Sequence, residues 1–321
     1  MSVRLGILST ARINRLVLAG ARESGEVEAV AVASRDAARA EAYAREWGIE
    51  RAHGSYEALL ADPEVDAVYN PLPNSMHVEW SIRALEAGKH VLCEKPLSRR
   101  PEDVERAFDV AEREGRVLTE AFMYRHNPQT ARLVELVRGG AVGDVRVVRA
   151  AFSFTITDEA NIRLAGDLDG GALMDVGCYC VSGSRLIGGE PRRLYGVGVF
   201  ERGVDTIFAG TLEFEAGVLA QFDCGFRLPM RDELEVVGSD GSLFLDDPWH
   251  CRRPVIELRR EDGVEEIALE PVDSYRLELE DLAAAVGRAR EPLLGREESV
   301  AQARAIAALY HAAETGQPVS L

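Results

Sequence analysis

His90-Val91-Leu92-Cys93-Glu94-Lys95-Pro96-Leu97-Ser98 sets a short apolar run against a carboxylate, an amine and a proline in immediate succession. Val91 to Cys93 reads as a buried strand, and Glu94-Lys95-Pro96 as the charged elbow at which it stops. In an open parallel sheet, ligands gather beyond the carboxyl ends of the strands. Pro96 fixes its own φ, lacks a backbone donor and restricts Lys95 to extended conformations. Lys95 is then carried into a cleft on a stiff backbone. A surface Glu-Lys pair at a strand end is the competing reading of the same residues.

The flanking sequence repeats the strand–helix alternation. Upstream lie a strand at Ala67-Val68-Tyr69 and a helix from His77 to Ala87 stopped by Gly88; downstream lie a helix opened by Pro101 and a strand from Val117 to Ala121. Further back come a strand at Leu5 to Leu8, a helix ending near Ser24-Gly25, a strand from Val27 to Ala33, a helix from Ala37 to Trp47 closed by Gly48, and a short helix from Ser55 to Ala61. Such spacing is that of parallel βαβ units. It predicts an α/β, doubly wound parallel sheet in residues 1–122, with about five strands and Lys95 at the tip of the fourth.

After Met123 the pattern changes. One helix spans Pro128 to Arg138, and strands then dominate: Val145 to Phe154, Leu194 to Phe200, Thr206 to Glu215, Val218 to Phe226, Glu233 to Gly238 and Ser242 to Leu245. Ala216-Gly217 and Asp240-Gly241 read as tight hairpin turns. A helix from about Ala172 to Ile187 and two closing helices, Tyr275 to Arg290 and Glu297 to Glu314, complete the chain. Residues 123–321 are therefore expected to form a second, α+β domain built on a large, open, mostly antiparallel sheet.

A chain of 321 residues exceeds what one core usually supports, in keeping with two domains. Its net charge of −17 repels phosphate backbones and anionic bilayers, so neither nucleic acid nor membrane is an expected partner. No apolar run approaches the roughly 18 residues of a membrane span. The amino terminus runs straight into a strand without a leader-like apolar stretch, and the expected location is the cytoplasm. Five cysteines argue against a disulfide framework, and Cys178-x-Cys180 lacks zinc-type spacing, so no metal is expected.

The turn Ser9-Thr10-Ala11-Arg12-Ile13-Asn14 joins the first strand to the first helix, where free backbone N–H groups hold a pyrophosphate. Serine and alanine stand at Ser9 and Ala11, where a glycine-rich fingerprint has glycine; Ala11 is nearly as small, and the Ser9 and Thr10 hydroxyls can donate to phosphate. The end of the second strand offers Ser34-Arg35 before Asp36. A hydroxyl and a cation suit a ribose 2′-phosphate, whereas a free 2′-hydroxyl is usually met by an acid. NADP is expected over NAD, although Ser34 or Asp36 also suits a helix cap. Asn70-Pro71-Leu72-Pro73-Asn74-Ser75-Met76-His77 forms a stiff loop beside the Lys95 strand. Pro71, Pro73, Asn74 and His77 are expected to border the cofactor, with a cap at Asn74 or Ser75 as the alternative.

On the helix from Ala172, Asp175 and Tyr179 stand four residues apart on one face. Asp169-Gly170-Gly171 introduces it, letting a helix start press close to another backbone. If that face meets the Lys95 elbow, an amine, a phenol and a carboxylate gather, which suffices for alcohol oxidation with loss of one proton. Bringing a tyrosine from a pKa of about 10 to near neutrality costs about 3 to 4 kcal/mol. An ammonium about 4 Å away at an effective dielectric near 20 supplies on the order of 4 kcal/mol. A core Tyr179 and a helix-entrance carboxylate at Asp175 form the competing reading.

Glu94-Lys95-Pro96, Met123-Tyr124-Arg125-His126-Asn127-Pro128 and Gly170 to Tyr179 together resemble the glucose-fructose oxidoreductase/inositol dehydrogenase/rhizopine catabolism (Gfo/Idh/MocA) family over essentially the whole chain. The resemblance implies an N-terminal Rossmann domain, a C-terminal sheet used in forming a homodimer or homotetramer, and a nicotinamide cofactor held in part by Glu94 and Lys95. It implies a sugar or cyclic polyol substrate, a catalytic Lys95 and a catalytic or substrate-binding Asp175, to which the residue reading adds Tyr179 as the base. Arg125, His126 and Arg163 are expected on the substrate or cofactor side, with surface salt bridges as the alternative. Tyrosine at 179, where many members have histidine, with Asn161-Ile162-Arg163-Leu164 upstream, is similar to the branch of D-xylose and dimeric trans-dihydrodiol dehydrogenases. The expected reaction is NADP-dependent oxidation of an aldopyranose C1 hydroxyl to the lactone. A trans-dihydrodiol dehydrogenase is the near alternative, and a non-catalytic NADP-sensing regulator the distant one.

Overall fold

The computed structural model describes residues 2–321 and resolves the chain into two compact units. The first contains residues up to Met123 together with Asp273–Val300. Six strands, β1 (Val3–Leu8), β2 (Val27–Ala33), β3 (Arg51–His53), β4 (Ala67–Asn70), β5 (His90–Glu94) and β6 (Leu118–Ala121), lie in the order β3-β2-β1-β4-β5-β6. Every pairing among them is parallel. Lys95 thus follows the fifth strand in chain order and not the fourth. β3 is only three residues long and offers no apolar run, so its sequence carries no strand signal.

Helices α1 (Asn14–Glu23), α2 (Ala37–Trp47), α3 (Tyr56–Leu60), α4 (His77–Glu86) and α5 (Pro101–Glu114) connect these strands. Their limits are set by local chemistry. The Asp36 carboxylate accepts the Arg39 amide to start α2, and Gly48 ends it at φ 69°. Pro101 occupies the first turn of α5 beside Glu102 and Asp103, which complement the helix dipole.

The second unit holds Tyr124–Val272 and Ala301–Leu321. After α6 (Pro128–Arg138) it builds a nine-stranded sheet from β7 (Val145–Thr155), β8 (Arg193–Glu201), β9 (Val204–Glu213), β10 (Leu219–Gly225), β11 (Arg227–Gly238), β12 (Ser242–Asp246), β13 (Val255–Arg260), β14 (Gly263–Ala268) and β15 (Val319–Ser320). Their order is β14-β13-β12-β11-β7-β10-β9-β8-β15, parallel only between β7 and β10. Ala216 and Gly217, both at positive φ, turn β9 into β10 as expected. Alternation puts Ala150, Phe222, Leu234 and Leu243 on one face, buried, and Arg149, Gln221, Glu235 and Phe244 on the other. Helix α7 (Cys178–Gly188) packs on this sheet. Its start is a π-helical turn over Leu173–Gly177, where an α-helix is expected. Gly177 fits that turn because a Cβ there would lie 2.7 Å from Cys224 Sγ.

The expected uninterrupted second domain is broken by α8 (Ser274–Val286), which returns to the first unit. Leu279 and Leu282 are fully buried among Leu5, Ile7, Val17, Leu18 and Leu92. The β1/α1 side has apolar surface that α1 to α5 leave uncovered, and α8 supplies the missing layer. Most of α9 (Arg296–Thr315) then belongs to the second unit.

Candidate active site

The backbone around Lys95 is held from three directions within the first unit. The buried Tyr69 hydroxyl donates to Glu94 Oε1 at 2.5 Å, His77 Nδ1 lies 2.9 Å from the Pro96 carbonyl, and Glu120 Oε1 accepts the Leu97 amide at 2.8 Å. The Lys95–Pro96 peptide is cis, and Lys95 itself is half-buried. Burial, with Glu94 beside it, pushes the Tyr69 phenol well above its ordinary pKa, so Tyr69 stays a donor. Glu278 of α8 is also held well above the carboxylate range, first by burial and then by Glu94 and Asp281.

The loop after β4 is built from polar side chains spent internally. Asn70 Nδ2 donates to the His77 carbonyl at 3.0 Å and to Ser81 Oγ at 3.2 Å. His77, 1% exposed, has Nε2 at 2.7 Å from the Leu72 carbonyl as well as Nδ1 on Pro96. Its ring therefore braces the loop against the Leu72 and Pro96 carbonyls. Pro71 is buried, whereas Pro73 and Asn74 are partly exposed. Asn74 begins the 3-10 turn Asn74–Met76 that leads into α4.

Ser9, Thr10, Ala11, Arg12 and Ile13 lie beyond the carboxyl end of β1, between the tips of β2 and β4. Ser9 adopts φ 77°, the left-handed conformation that a fingerprint glycine normally provides. Its amide bonds the Ala33 carbonyl at 2.9 Å, and Asn14 Nδ2 holds its carbonyl at 3.0 Å. Ser9 Oγ is buried without a hydrogen-bond partner among the described residues, an orphan of the kind a phosphate oxygen would satisfy. At the end of β2, Ser34 Oγ accepts the Asp36 amide at 3.2 Å, and of the two only Asp36 caps α2, by accepting the Arg39 amide. Arg35 is exposed, and its guanidinium and that of Arg39 lie near the Tyr56 phenol, each favouring its ionised form against the upward push of burial. Arg39 is a cation that the sequence reading passes over. These residues fit a dinucleotide with a 2′-phosphate: a turn with an unsatisfied hydroxyl for the pyrophosphate, and paired guanidiniums for the ribose phosphate.

In the second unit, Arg163 Nε donates to Asp175 Oδ2 at 2.6 Å. Arg163 comes from the 3-10 turn Ile162–Leu164, which Asn161 caps by accepting the Arg163 amide. The expected crowding at Gly170-Gly171 is present: Gly171 donates to the Arg163 carbonyl at 2.9 Å, and a Cβ on Gly170 would sit 2.4 Å from the same oxygen. Tyr179 is 6% exposed and packs on Phe152, Tyr124 and Trp249 at centroid separations of 5.5, 5.8 and 6.0 Å. Tyr124 shares a 2.7 Å hydrogen bond with Ser182 one turn along α7, so the aromatic wall and the helix are tied together. Arg125 is half-buried beside this wall's Tyr124 in sequence.

A family model described as oxidoreductase family, NAD-binding Rossmann fold, matches residues 3–122, and the GFO/IDH/MocA C-terminal domain model matches residues 130–244. The chain belongs to the GFO/IDH/MocA oxidoreductase family. It is 44% identical to D-xylose 1-dehydrogenase (NADP(+)) 2 of Haloferax volcanii, covering 98% of this chain and 99% of the relative. Among solved structures, an aldose-aldose oxidoreductase from Caulobacter crescentus complexed with glycerol superposes with a TM-score of 0.93 at 28% identity, over 100% of both chains. A 3-ketoreductase from Actinomadura kijaniata in complex with NADP and TDP-benzene gives 0.92 at 33% identity, over 97% and 98%.

One further polar cluster borders the aromatic wall, where His250 packs on Phe152 at a centroid separation of 5.4 Å. Asp232, Asp247 and His250 converge to within 4.8 Å. Their oxygens are taken by the Trp249 amide, by the Arg252 amide and guanidinium and by the His250 ring, so the trio together with Arg252 is a charge-balanced ion-pair network. Burial alone would lower the His250 pKa, but the two carboxylates raise it to about 9.

Proposed function

We propose that this family member is an NADP-dependent dehydrogenase that oxidises the C1 hydroxyl of an aldopyranose, D-xylose or a close analogue, to the lactone. The observation that carries this reading is the braced Glu94-Lys95-Pro96 elbow, in a chain so similar along its length to an NADP-dependent D-xylose 1-dehydrogenase. Ser9 to Ile13 would hold the pyrophosphate, Ser34, Arg35 and Arg39 the 2′-phosphate, and Pro71, Pro73, Asn74 and Glu94 the nicotinamide half. When bound, the nicotinamide supplies the acceptor for the hydride leaving C1.

The chain must dispose of the proton. Tyr179 takes it from the sugar hydroxyl as its base, Lys95 lowers the phenol pKa and polarises the substrate oxygen, and Asp175 holds a neighbouring hydroxyl. Arg163 orients Asp175 through their hydrogen bond, and Arg125 is assigned to the substrate side. Assigning Lys95 and Tyr179 to one reaction rests on their two sequence motifs. A homodimer or homotetramer through the outward face of the nine-stranded sheet is part of the proposal, supported by exposed Val197 and Val199 on β8. So is residence in the cytoplasm, supported by the odd cysteine count.

The test is reduction of NADP, followed by absorbance, with pentoses, hexoses, inositols and trans-dihydrodiols. Turnover with an aldopose such as D-xylose, lost in Lys95→Met with NADP affinity retained, is the expected result. Tight NADP binding with no turnover on any substrate would leave the regulator reading instead. The likeness to an aldose-aldose oxidoreductase supports a second reading, in which the cofactor stays bound between two sugars. Cofactor that survives gel filtration distinguishes that case.

A further inference from the structure

Asp205 on β9 is 1% exposed, yet its carboxylate serves the start of the helix that carries Asp175 and Tyr179. Oδ2 accepts the Leu173 amide at 2.6 Å, and Oδ1 accepts the hydroxyl of Tyr310, on α9, at 2.8 Å. The first amides of any helix lack partners within it, and a carboxylate there also complements the dipole. Most helices take this cap from the residue before them. The π turn Leu173–Gly177 has no side-chain cap of its own and takes one from a strand of the sheet beneath. Gly171, at φ 125°, completes the lock, since a Cβ there would stand 2.2 Å from Asp205 Oδ1 and 3.0 Å from the Tyr310 hydroxyl. The Asp175 amide bonds the Gly171 carbonyl at 3.0 Å, so the clamped residue and the site residue are joined by one hydrogen bond.

We propose that Asp205, locked by Tyr310, is a positioning residue for the sugar oxidation: it fixes where the π turn begins and hence the direction in which Asp175, with Arg163, meets substrate. This rests on the dehydrogenase reading above. Burial raises the Asp205 carboxyl to about 6, while the Leu173 amide and the Tyr310 hydroxyl oppose that rise. Among the described residues, the Tyr310 phenol and the buried Cys224 thiol of β10 are titratable groups facing it; the π turn contributes backbone N–H groups. Protonation of Asp205 as pH falls through about 6 removes the charge from the cap and loosens the helix start.

Three variants test the clamp. Asp205→Ala should lower kcat/KM for the sugar by about 100-fold through misplacement alone, leave the Kd for NADPH unchanged and speed amide hydrogen exchange across residues 172–178. Asp205→Asn, which can rotate its amide to keep both bonds, should recover most of that loss and lose the acid limb of the pH profile. Tyr310→Phe, deprived of a bond that favours the carboxylate, should move the acid limb to higher pH. Wild-type kcat/KM in Asp205→Ala, corrected for folded fraction, overturns the proposal. Faster exchange with unchanged kcat/KM and acid limb also overturns it, because the role is then purely structural. If Asp205→Ala does not fold, an acid limb at the wild-type pH in both other variants overturns it. A wild-type protein that oxidises no sugar refutes the dehydrogenase reading separately. Exchange in Asp205→Ala and Tyr310→Phe then judges the clamp: faster exchange across residues 172–178 upholds it and unchanged exchange removes it.

Discussion

Replacing Arg35 with alanine should cost NADP affinity and spare NAD. The 2′-phosphate that separates the two cofactors carries roughly −1.5 to −2 charges near neutral pH, and a charge-assisted hydrogen bond to it contributes about 1.5 to 3 kcal/mol. Arg35 is exposed, so solvent screening puts its share at the lower end, about 1.5 kcal/mol, or roughly tenfold in Kd. Arg39 lies one helical turn further on and faces the same Tyr56 phenol, so the pair shares the anion. The double variant Arg35→Ala/Arg39→Ala should therefore lose about 100-fold for NADP at low salt, with much of the difference erased near 1 M salt, where the screening length is about 3 Å. Asp36, which caps α2 beside them, opposes the phosphate, and Asp36→Asn should tighten NADP slightly. Calorimetric titration of each variant with NADP and NAD in parallel measures the ratio. Equal losses for both cofactors, or a ratio indifferent to salt, would show that Arg35 and Arg39 do not read the 2′-phosphate.

Other consequences are open to direct measurement. His77→Ala removes the ring N–H that lies against two buried carbonyls, Leu72 and Pro96; a neutral imidazole donates to one of them, so urea unfolding of the first unit should shift by about 1 to 3 kcal/mol. Leu279→Ala should destabilise that same unit by about 2 to 5 kcal/mol, and NADP should protect against the transition it weakens. For His250 the folded pKa of about 9 lies above the unfolded value of about 6.5. Its contribution is then complete below pH 6.5 and lost as pH rises through about 9, and thermal melts of His250→Asn should lack this alkaline loss. Gly171→Ala, forced to φ 125° and into Asp205, should lower both stability and sugar turnover, read by melting and by initial rates.

Much of the nucleotide half was legible because its grammar is local. Apolar runs, Pro101 at a helix start and Gly48 at a helix end each declare themselves within a few residues. β3, β14 and β15 were silent for the opposite reason: Arg51–His53 is too short, and Gly263–Ala268 is an exposed edge whose strand state comes from its neighbour. The candidate residues themselves were readable from type and order. Their supports were not, since Tyr69, Glu120 and Asp205 acquire meaning only through partners 23 to 105 positions away in sequence. Ser9 shows the limit from another side: a fingerprint that lacks its glycine can keep the glycine's backbone conformation. The π turn likewise depends on the fit of Gly177 against Cys224, which no pattern of periodicity reveals.

The return of α8 bears on how this protein is made. The last strand of the parallel sheet has left the ribosome by residue 121, but Leu279 and Leu282, which close its core, follow far later. At roughly 5 to 20 residues per second, the nascent sheet waits on the order of 10 to 30 s with an apolar face uncovered. The nucleotide-binding half is first in the gene and among the last parts to be finished, so a fragment ending at Met123 should be held by chaperones or precipitate.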